Sequence, residues 1–236
     1  MISKELFDRA AALLSFPLPA NAFGLFDAYA EALVTYNEKV NLTAITDPDE
    51  IVTKHFLDSL FLLNAVSPAE NAAVCDVGTG AGFPGLCLAI ARPDLRVTLF
   101  DSVNKKLAFL RSFSGEAGIP VEIVTVRAED AGRDPAYRER FDLCTARAVA
   151  QLNRLAEYCV PLVKPGGLFA PLKAPLSPEE AQRGIGAAAN LGARLTNRLR
   201  YRLPDGSDRE VPVFEKTAPT PTKYPRNPAQ IAKKPL

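Results

Sequence analysis

Asp76-Val77-Gly78-Thr79-Gly80-Ala81-Gly82 joins a short apolar run, Ala73–Val77, to a helix-like segment that starts near Pro84. A strand that runs into glycines and then into a helix lets main chain approach a ligand closely. Gly78, Gly80 and Gly82 alternate as G-x-G-x-G, and Gly80, Gly82 and Gly85 also fit G-x-G-x-x-G. By itself this pattern marks a nucleoside cofactor at a strand end and leaves its identity open.

Downstream, strands and helices alternate. Arg96–Asp101, Val121–Val126, Phe141–Ala146 and Leu168–Lys173 read as strands. Lys105–Ala117, with Gly118 as its C-cap, Leu152–Val163 and Pro178–Leu191 read as helices, the second stopped by Lys164-Pro165-Gly166-Gly167. This rhythm predicts a parallel sheet with helices on both faces. Arg194–Leu203 and Arg209–Lys216 flank the turn sequence Pro204-Asp205-Gly206-Ser207 with no helix between, so they are expected to pair antiparallel.

Upstream, residues 1–67 read as helical. Leu25, Tyr29, Ala32, Leu33 and Tyr36 recur at helical spacing. Asp47 is a candidate N-cap, with Pro48 at the first helical position and Glu50 three residues after the cap. That helix is expected to run to about Val66, burying Val52, Phe56, Leu60 and Leu63, before Ser67-Pro68 ends it. The expected organisation is a helical extension over 1–67, a cofactor-binding domain over 68–217 and a basic, proline-rich tail over 218–236, one compact domain overall. The fold class is α/β: a doubly wound, mostly parallel, seven-stranded Rossmann-like sheet closed by an antiparallel C-terminal hairpin. That hairpin resembles the methyltransferase variant of the fold. A dehydrogenase domain would continue βαβ.

Composition narrows the class. A hydrophobic fraction of 47% and a charged fraction of 23% are ordinary for a globular chain, and no apolar run is long enough to span a bilayer. The N-terminus lacks a signal-peptide core, so a cytoplasmic protein is expected. Cys75, Cys87, Cys144 and Cys159 form no C-x-x-C pair, and the chain has one histidine, so reduced core cysteines are expected rather than a zinc site. Charge is unevenly spread: residues 1–70 hold 4 basic and 10 acidic side chains, residues 171–236 hold 12 and 6. The last 21 residues carry five basic side chains, five prolines and no acid. This is compatible with contact to a polyanion or with a solvated tail.

The cofactor segment can be read further. Asp76, two residues before Gly78, would repel a pyrophosphate but can hold the ammonium of a methionine moiety. It points to S-adenosylmethionine over a dinucleotide, with an NAD-binding oxidoreductase as the alternative. Asp101 ends the next strand, where its carboxylate can accept ribose hydroxyls or cap a helix. Arg127-Ala128-Glu129-Asp130 follows the third strand and suits an adenine edge or an exposed acidic cap. After the fourth strand stands Cys144-Thr145-Ala146-Arg147-Ala148-Val149, with no Asn/Asp-Pro-Pro-aromatic grip for an exocyclic amine. Cys144 lies within the strand, as a core cysteine and not a nucleophile. No general base stands out, so no residue is assigned a catalytic role. An acceptor such as guanine N7 needs alignment and no deprotonation.

Several segments together are more specific. Tyr36-Asn37-Glu38-Lys39-Val40-Asn41-Leu42-Thr43, Lys54-His55-Phe56-Leu57-Asp58-Ser59, Asp76 through Phe83-Pro84-Gly85, Asp101-Ser102 and Arg147-Ala148 occur in that order. Over about residues 30–175 the chain resembles the GidB (RsmG) family, bacterial 16S ribosomal RNA guanine-N7 methyltransferases. The resemblance implies S-adenosylmethionine contacts from Gly78, Phe83, Asp101, Ser102, Val103, Ala128, Glu129 and Arg147. Asp76 and Gly80 join them from the reading above, and Arg147 falls near the reaction centre. It also implies a small-subunit rRNA substrate, phosphate contacts from Lys105, Lys106 and Lys173, and a monomer; from the lack of a spanning run, no membrane partner is expected. The chain departs from the common pattern at Tyr36, Asn104, Val149 and Ala174, and Val149 bears on the acceptor pocket. His55 and Asp58, at i and i+3, form either an acid–base dyad or a polar network pinning helix to sheet; the network is preferred, because the chemistry asks for no base.

Overall fold

A computed structural model describes all 236 residues. Seven strands form one sheet in the order β3-β2-β1-β4-β5-β7-β6. They are β1 Ala73–Val77, β2 Arg96–Asp101, β3 Val121–Thr125, β4 Phe141–Thr145, β5 Val163–Phe169, β6 Ala193–Arg202 and β7 Asp208–Lys216. The first five run parallel, and β7 lies antiparallel between β5 and β6. The helices after the strands are α5 Gly85–Ala91, α6 Asn104–Glu116, α7 Ala128–Ala131, α8 Leu152–Cys159 and α9 Pro178–Asn190.

Alternation along the central strands splits the core in two. Val74, Val97, Leu99 and Leu143 face a layer made by α5, α6 and the N-terminal helices. Cys75, Val77, Phe100 and Cys144 face α8 and α9. Because both faces are covered, β1 is an almost unbroken apolar run, and Asp76 within it is fully buried. The four cysteines are all free and buried. No helix is long and apolar enough to cross a membrane.

The N-terminal part forms α1 Lys4–Ala11 and α2 Ala22–Asn37, then one long helix from Pro48 to Ala65. Asp47 caps that helix, its Oδ1 accepting from the main-chain N–H of Asp49 and Glu50, each at 3.0 Å. Val52, Phe56, Leu60 and Leu63 are buried, as the spacing predicts. The helix is not uniform: α3 Pro48–Glu50 and α4 Asp58–Ala65 are joined by a π-helical stretch, Ile51–Leu57. Such wide turns displace main-chain carbonyls from regular bonding and concentrate at functional sites.

The fifth strand begins earlier than the sequence pattern suggests. Lys164-Pro165-Gly166-Gly167 lies inside β5, which ends at Phe169 instead of Lys173. Val163 pairs with Phe141 and Leu168 with Leu143, so the Pro-Gly-Gly segment bulges out of the ladder between them. Beyond β5 only single bridges remain, Leu172 to Arg147 and Lys173 to Glu210.

The tail is docked, which removes the reading of a solvated tail that touches nothing. Arg226 lies 2.6 Å from the fully buried Glu157, and Ile231, on α10 Pro228–Lys233, is also fully buried.

Candidate functional site

At the carboxyl end of β1 the chain turns sharply. Gly78 N–H and Thr79 N–H both donate to the Phe100 carbonyl, at 2.8 and 3.0 Å, which holds the turn against β2. Gly78 has φ +70°, and a Cβ there would lie 2.6 Å from Val149 Cγ2, so both backbone and space require glycine.

Two carboxylates brace this loop. Asp76 Oδ2 accepts from Thr79 Oγ1 at 2.7 Å and from Gly85 N–H at 2.8 Å. Its other oxygen, Oδ1, is buried and receives no donor from the chain. Leaving a buried acceptor unpaired costs about 1–3 kcal/mol, so the atom suits a ligand donor. Burial pushes the Asp76 carboxyl up to about 7. Asp101 accepts from Gly80 N–H at 2.9 Å through Oδ2 and from Val103 N–H at 2.8 Å through Oδ1. It therefore ties the glycine loop to the entry of α6 and keeps one lone pair on each oxygen for a ligand.

Gly78, Asp101, Ser102, Ala128 and Glu129 line one open cleft of about 240 Å³. Glu129 is only 6% exposed, which excludes its reading as an exposed cap. Asp76, in β1, Gly80, in the loop, and the exposed Val103 are not part of this lining. Val126, Val149 and Tyr158 also line the cleft. Tyr158 escaped sequence reasoning because it lies on α8, an amphipathic helix with no motif.

Phe83 and Arg147 belong to an adjoining cluster. Arg147 Nη1 donates to the Lys54 carbonyl and to Asp58 Oδ2, each at 3.0 Å. Its Nη2 donates to His55 Nδ1 at 3.1 Å. Arginine has no acceptor, so His55 carries its proton on Nε2, which donates to Thr43 Oγ1 at 2.9 Å. Phe83 lies beneath, with the guanidinium 4.9 Å from its ring centre and the His55 ring stacked at 4.3 Å. Asn37 Oδ1 accepts from Leu42 and Thr43 N–H at 2.7 and 3.0 Å, which fixes the N-L-T turn under His55. Tyr201, on β6, donates to Asp58 Oδ1 at 2.7 Å. Three segments far apart in sequence thus meet on one guanidinium.

Burial, and then the Arg147 charge, push His55 down to about 3, so the ring is neutral and holds position. This favours the network reading over the acid–base dyad. It also has a pH signature. An unfolded chain protonates His55 at 6.5 while the folded one does not, so its stabilising contribution is full above pH 6.5 and is lost as pH falls toward 3. Asp76 acts oppositely: folded at about 7 against 3.8 unfolded, it contributes below pH 3.8 and fades as pH rises through 7. The two slopes oppose each other between about pH 5 and 6.5. His55→Gln is expected to leave stability falling with rising pH by up to about 1.4 kcal/mol per unit in that window. Urea melts of the cofactor-free protein at three pH values measure it; a slope equal to wild type would contradict a neutral buried His55.

The basic candidates separate. Lys105 is exposed and Lys106 half-buried at the start of α6, one and two residues past Asn104. Lys173 faces inward: its Nζ lies 2.9 Å from both Glu180 Oε1 and the Ala150 carbonyl. Cys144, in β4, is fully buried as a core residue.

Known proteins resemble this chain in sequence and in fold. The family model GidB, rRNA small subunit methyltransferase G, matches residues 23–197. Ribosomal RNA small subunit methyltransferase G of Alkaliphilus metalliredigens is 42% identical over 238 residues, covering 100% of both chains. The protein of the same name from Pelotomaculum thermopropionicum is 46% identical, covering 89% of each chain. Among solved structures, TrmN from Thermus thermophilus aligns with TM-score 0.51 and 21% identity, over 70% of this chain and 53% of that one. TYW2 of M. jannaschii, in complex with AdoMet, aligns with TM-score 0.51 and 16% identity, over 64% of this chain and 71% of that one. These two likenesses show the fold; the full-length relatives show more, and the chain belongs to the GidB family, rRNA small subunit methyltransferase G.

Proposed function

We propose that this chain transfers the methyl group of S-adenosylmethionine to N7 of one guanosine in 16S rRNA of the small subunit, acting as a monomer in the cytoplasm. The observation that carries the cofactor assignment is the unpartnered, buried Asp76 Oδ1 beside a glycine loop braced by Asp101. S-adenosylmethionine supplies a methyl group on a sulfonium, ready for a nucleophile that already holds a lone pair. The chain then has to bind and align.

Asp76 receives the ammonium of the cofactor. Gly78 and Gly80 let main chain come close. Asp101, with Ser102 and Val103 next to it, takes the ribose hydroxyls. Ala128 and Glu129 meet the adenine edge. Phe83 and Arg147 form the wall between this cleft and the N-terminal helices, near the transferred methyl. Lys105 and Lys106 contact rRNA phosphates. Lys173, held by Glu180, keeps the loop after Arg147 in place and serves the RNA indirectly.

With its carboxyl at about 7, Asp76 has to lose a proton to hold an ammonium. Cofactor affinity is therefore expected to fall below pH 7 by up to about tenfold per unit, with about one proton released on binding. Calorimetry in two buffers of different ionisation enthalpy reads the proton count. Affinity that is flat from pH 5.5 to 8 would take Asp76 away from the ammonium. The function itself is tested by incubating the chain with methyl-labelled S-adenosylmethionine and small-subunit rRNA, naked or in particles. Label is expected in the RNA. Binding of NADH without binding of S-adenosylmethionine would overturn the reading.

A further inference from the structure

Residues 218–236 carry Lys223, Arg226, Lys233 and Lys234 and no acid. Their path is fixed by buried contacts. Arg226 spends its charge on Glu157. Arg138 donates to the Tyr224 and Thr220 carbonyls at 2.8 and 2.7 Å, and Arg133 to the Pro225 carbonyl at 2.9 Å. At the far end Asn153 Nδ2 donates to the Leu236 carbonyl at 2.8 Å.

This route brings the segment against both elements that frame one side of the cleft. Pro225 packs on Gly132, directly after α7, which supplies Ala128 and Glu129 to the cleft. Glu157 and Asn153 lie on α8, which supplies Tyr158. One turn before Tyr158 on that helix is Arg154, whose Nε is buried with no partner. Lys223, Lys233 and Lys234 are exposed, and the tail's one ion pair is that of Arg226. Lys223, Lys233 and Lys234 are thus unpaired cations on a segment docked against α7 and α8, the two helices that line one side of the cleft. In contrast, residues 1–70 carry a net charge of −6.

We infer that the docked tail is a phosphate-binding face for the rRNA strand, made by Lys223, Lys233 and Lys234, separate from Lys105 and Lys106. It rests on the rRNA reading above. A docked face costs less ordering on binding than a loose basic tail, so its contribution to affinity is expected to be large for so few charges.

The test is the triple variant K223E/K233E/K234E, compared with wild type in binding a 16S rRNA fragment over a range of NaCl concentrations. Each phosphate contact contributes about 0.7–0.9 to the slope of log affinity against log salt. The variant is expected to lose about 2 from that slope and at least about tenfold in affinity, with S-adenosylmethionine affinity unchanged. The Lys→Arg triple is expected to behave as wild type. Should the charge reversal also weaken cofactor binding, the Lys→Gln triple carries the same comparison. An unchanged slope and affinity, in a preparation whose wild type binds and methylates rRNA, overturns the inference alone. A wild-type chain that neither binds nor methylates rRNA overturns the proposed function, and this inference with it.

Discussion

Arg147→Ala is expected to slow methyl transfer by about a hundredfold and to destabilise the fold by about 3 kcal/mol. The Arg147 side chain is 14% exposed and that of Asp58 5%, so the ion pair is largely out of water. Truncation leaves the Asp58 carboxylate with Tyr201 as its close donor and Arg209 at 3.7 Å, while His55 Nδ1 and the Lys54 carbonyl lose theirs. Breaking a buried pair from one side typically costs about 3–5 kcal/mol, and the remaining Tyr201 bond places this case at the lower end. The rate loss follows from geometry, since small misplacements of an aligned wall are costly in a reaction that depends on alignment. Arg147→Lys restores a charge but not the fork that reaches Lys54, Asp58 and His55 together, so only part of the stability returns. Urea denaturation and single-turnover methyl transfer read the two effects separately. Wild-type stability in Arg147→Ala would show that the cluster is not the tie described.

The second large effect is at Gly82. Its φ is +106°, and an added Cβ would meet Tyr29 Oη at 2.5 Å, Leu110 Cδ2 at 2.9 Å and Leu86 Cβ at 3.0 Å. Tyr29 is fully buried and its hydroxyl donates to the Ala81 carbonyl, so it cannot swing aside without leaving that carbonyl unpaired. Backbone strain and overpacking add, and Gly82→Ala is expected to cost about 3 kcal/mol or more. Gly80→Ala is the control. Gly80 has φ +58°, but its nearest neighbour is the Gly78 carbonyl oxygen at 4.0 Å. An alanine there costs about 1–2 kcal/mol in backbone conformation alone. It is expected to keep the fold and still lose about tenfold or more in S-adenosylmethionine affinity, if, as proposed above, the Gly80 main chain lies against the cofactor. Equal stability losses in the two variants would contradict the assignment of Gly82 to packing and Gly80 to binding.

Elements whose signals are local were readable from sequence. The strand runs Arg96–Asp101 and Val121–Val126, the capped start at Asp47-Pro48 and the Pro204–Ser207 turn each carry their own pattern. The start of β5 did not, because Lys164-Pro165-Gly166-Gly167 has the composition of a stop and only pairing with β4 draws it into the sheet. The π stretch over Ile51–Leu57 has no composition signal at all. In the site, the glycine loop and Asp101 were legible because strand-end geometry restricts what they can face. The partners of Arg147 were not, since Asp58 and His55 lie 89 and 92 residues away. Lys173 looks free in sequence and is paired only because α9 brings Glu180 to it. The tail's docking likewise depends on Glu157, 69 residues upstream of Arg226.

The most direct test is to locate the transferred methyl. Small-subunit rRNA incubated with the chain and labelled S-adenosylmethionine is treated with borohydride and then aniline, which cleaves at N7-methylguanosine. The predicted result is scission at a single guanosine of 16S rRNA that accounts for the label. Label on any other atom, or RNA that gains none from an active cofactor-bound chain, would contradict guanine-N7 transfer.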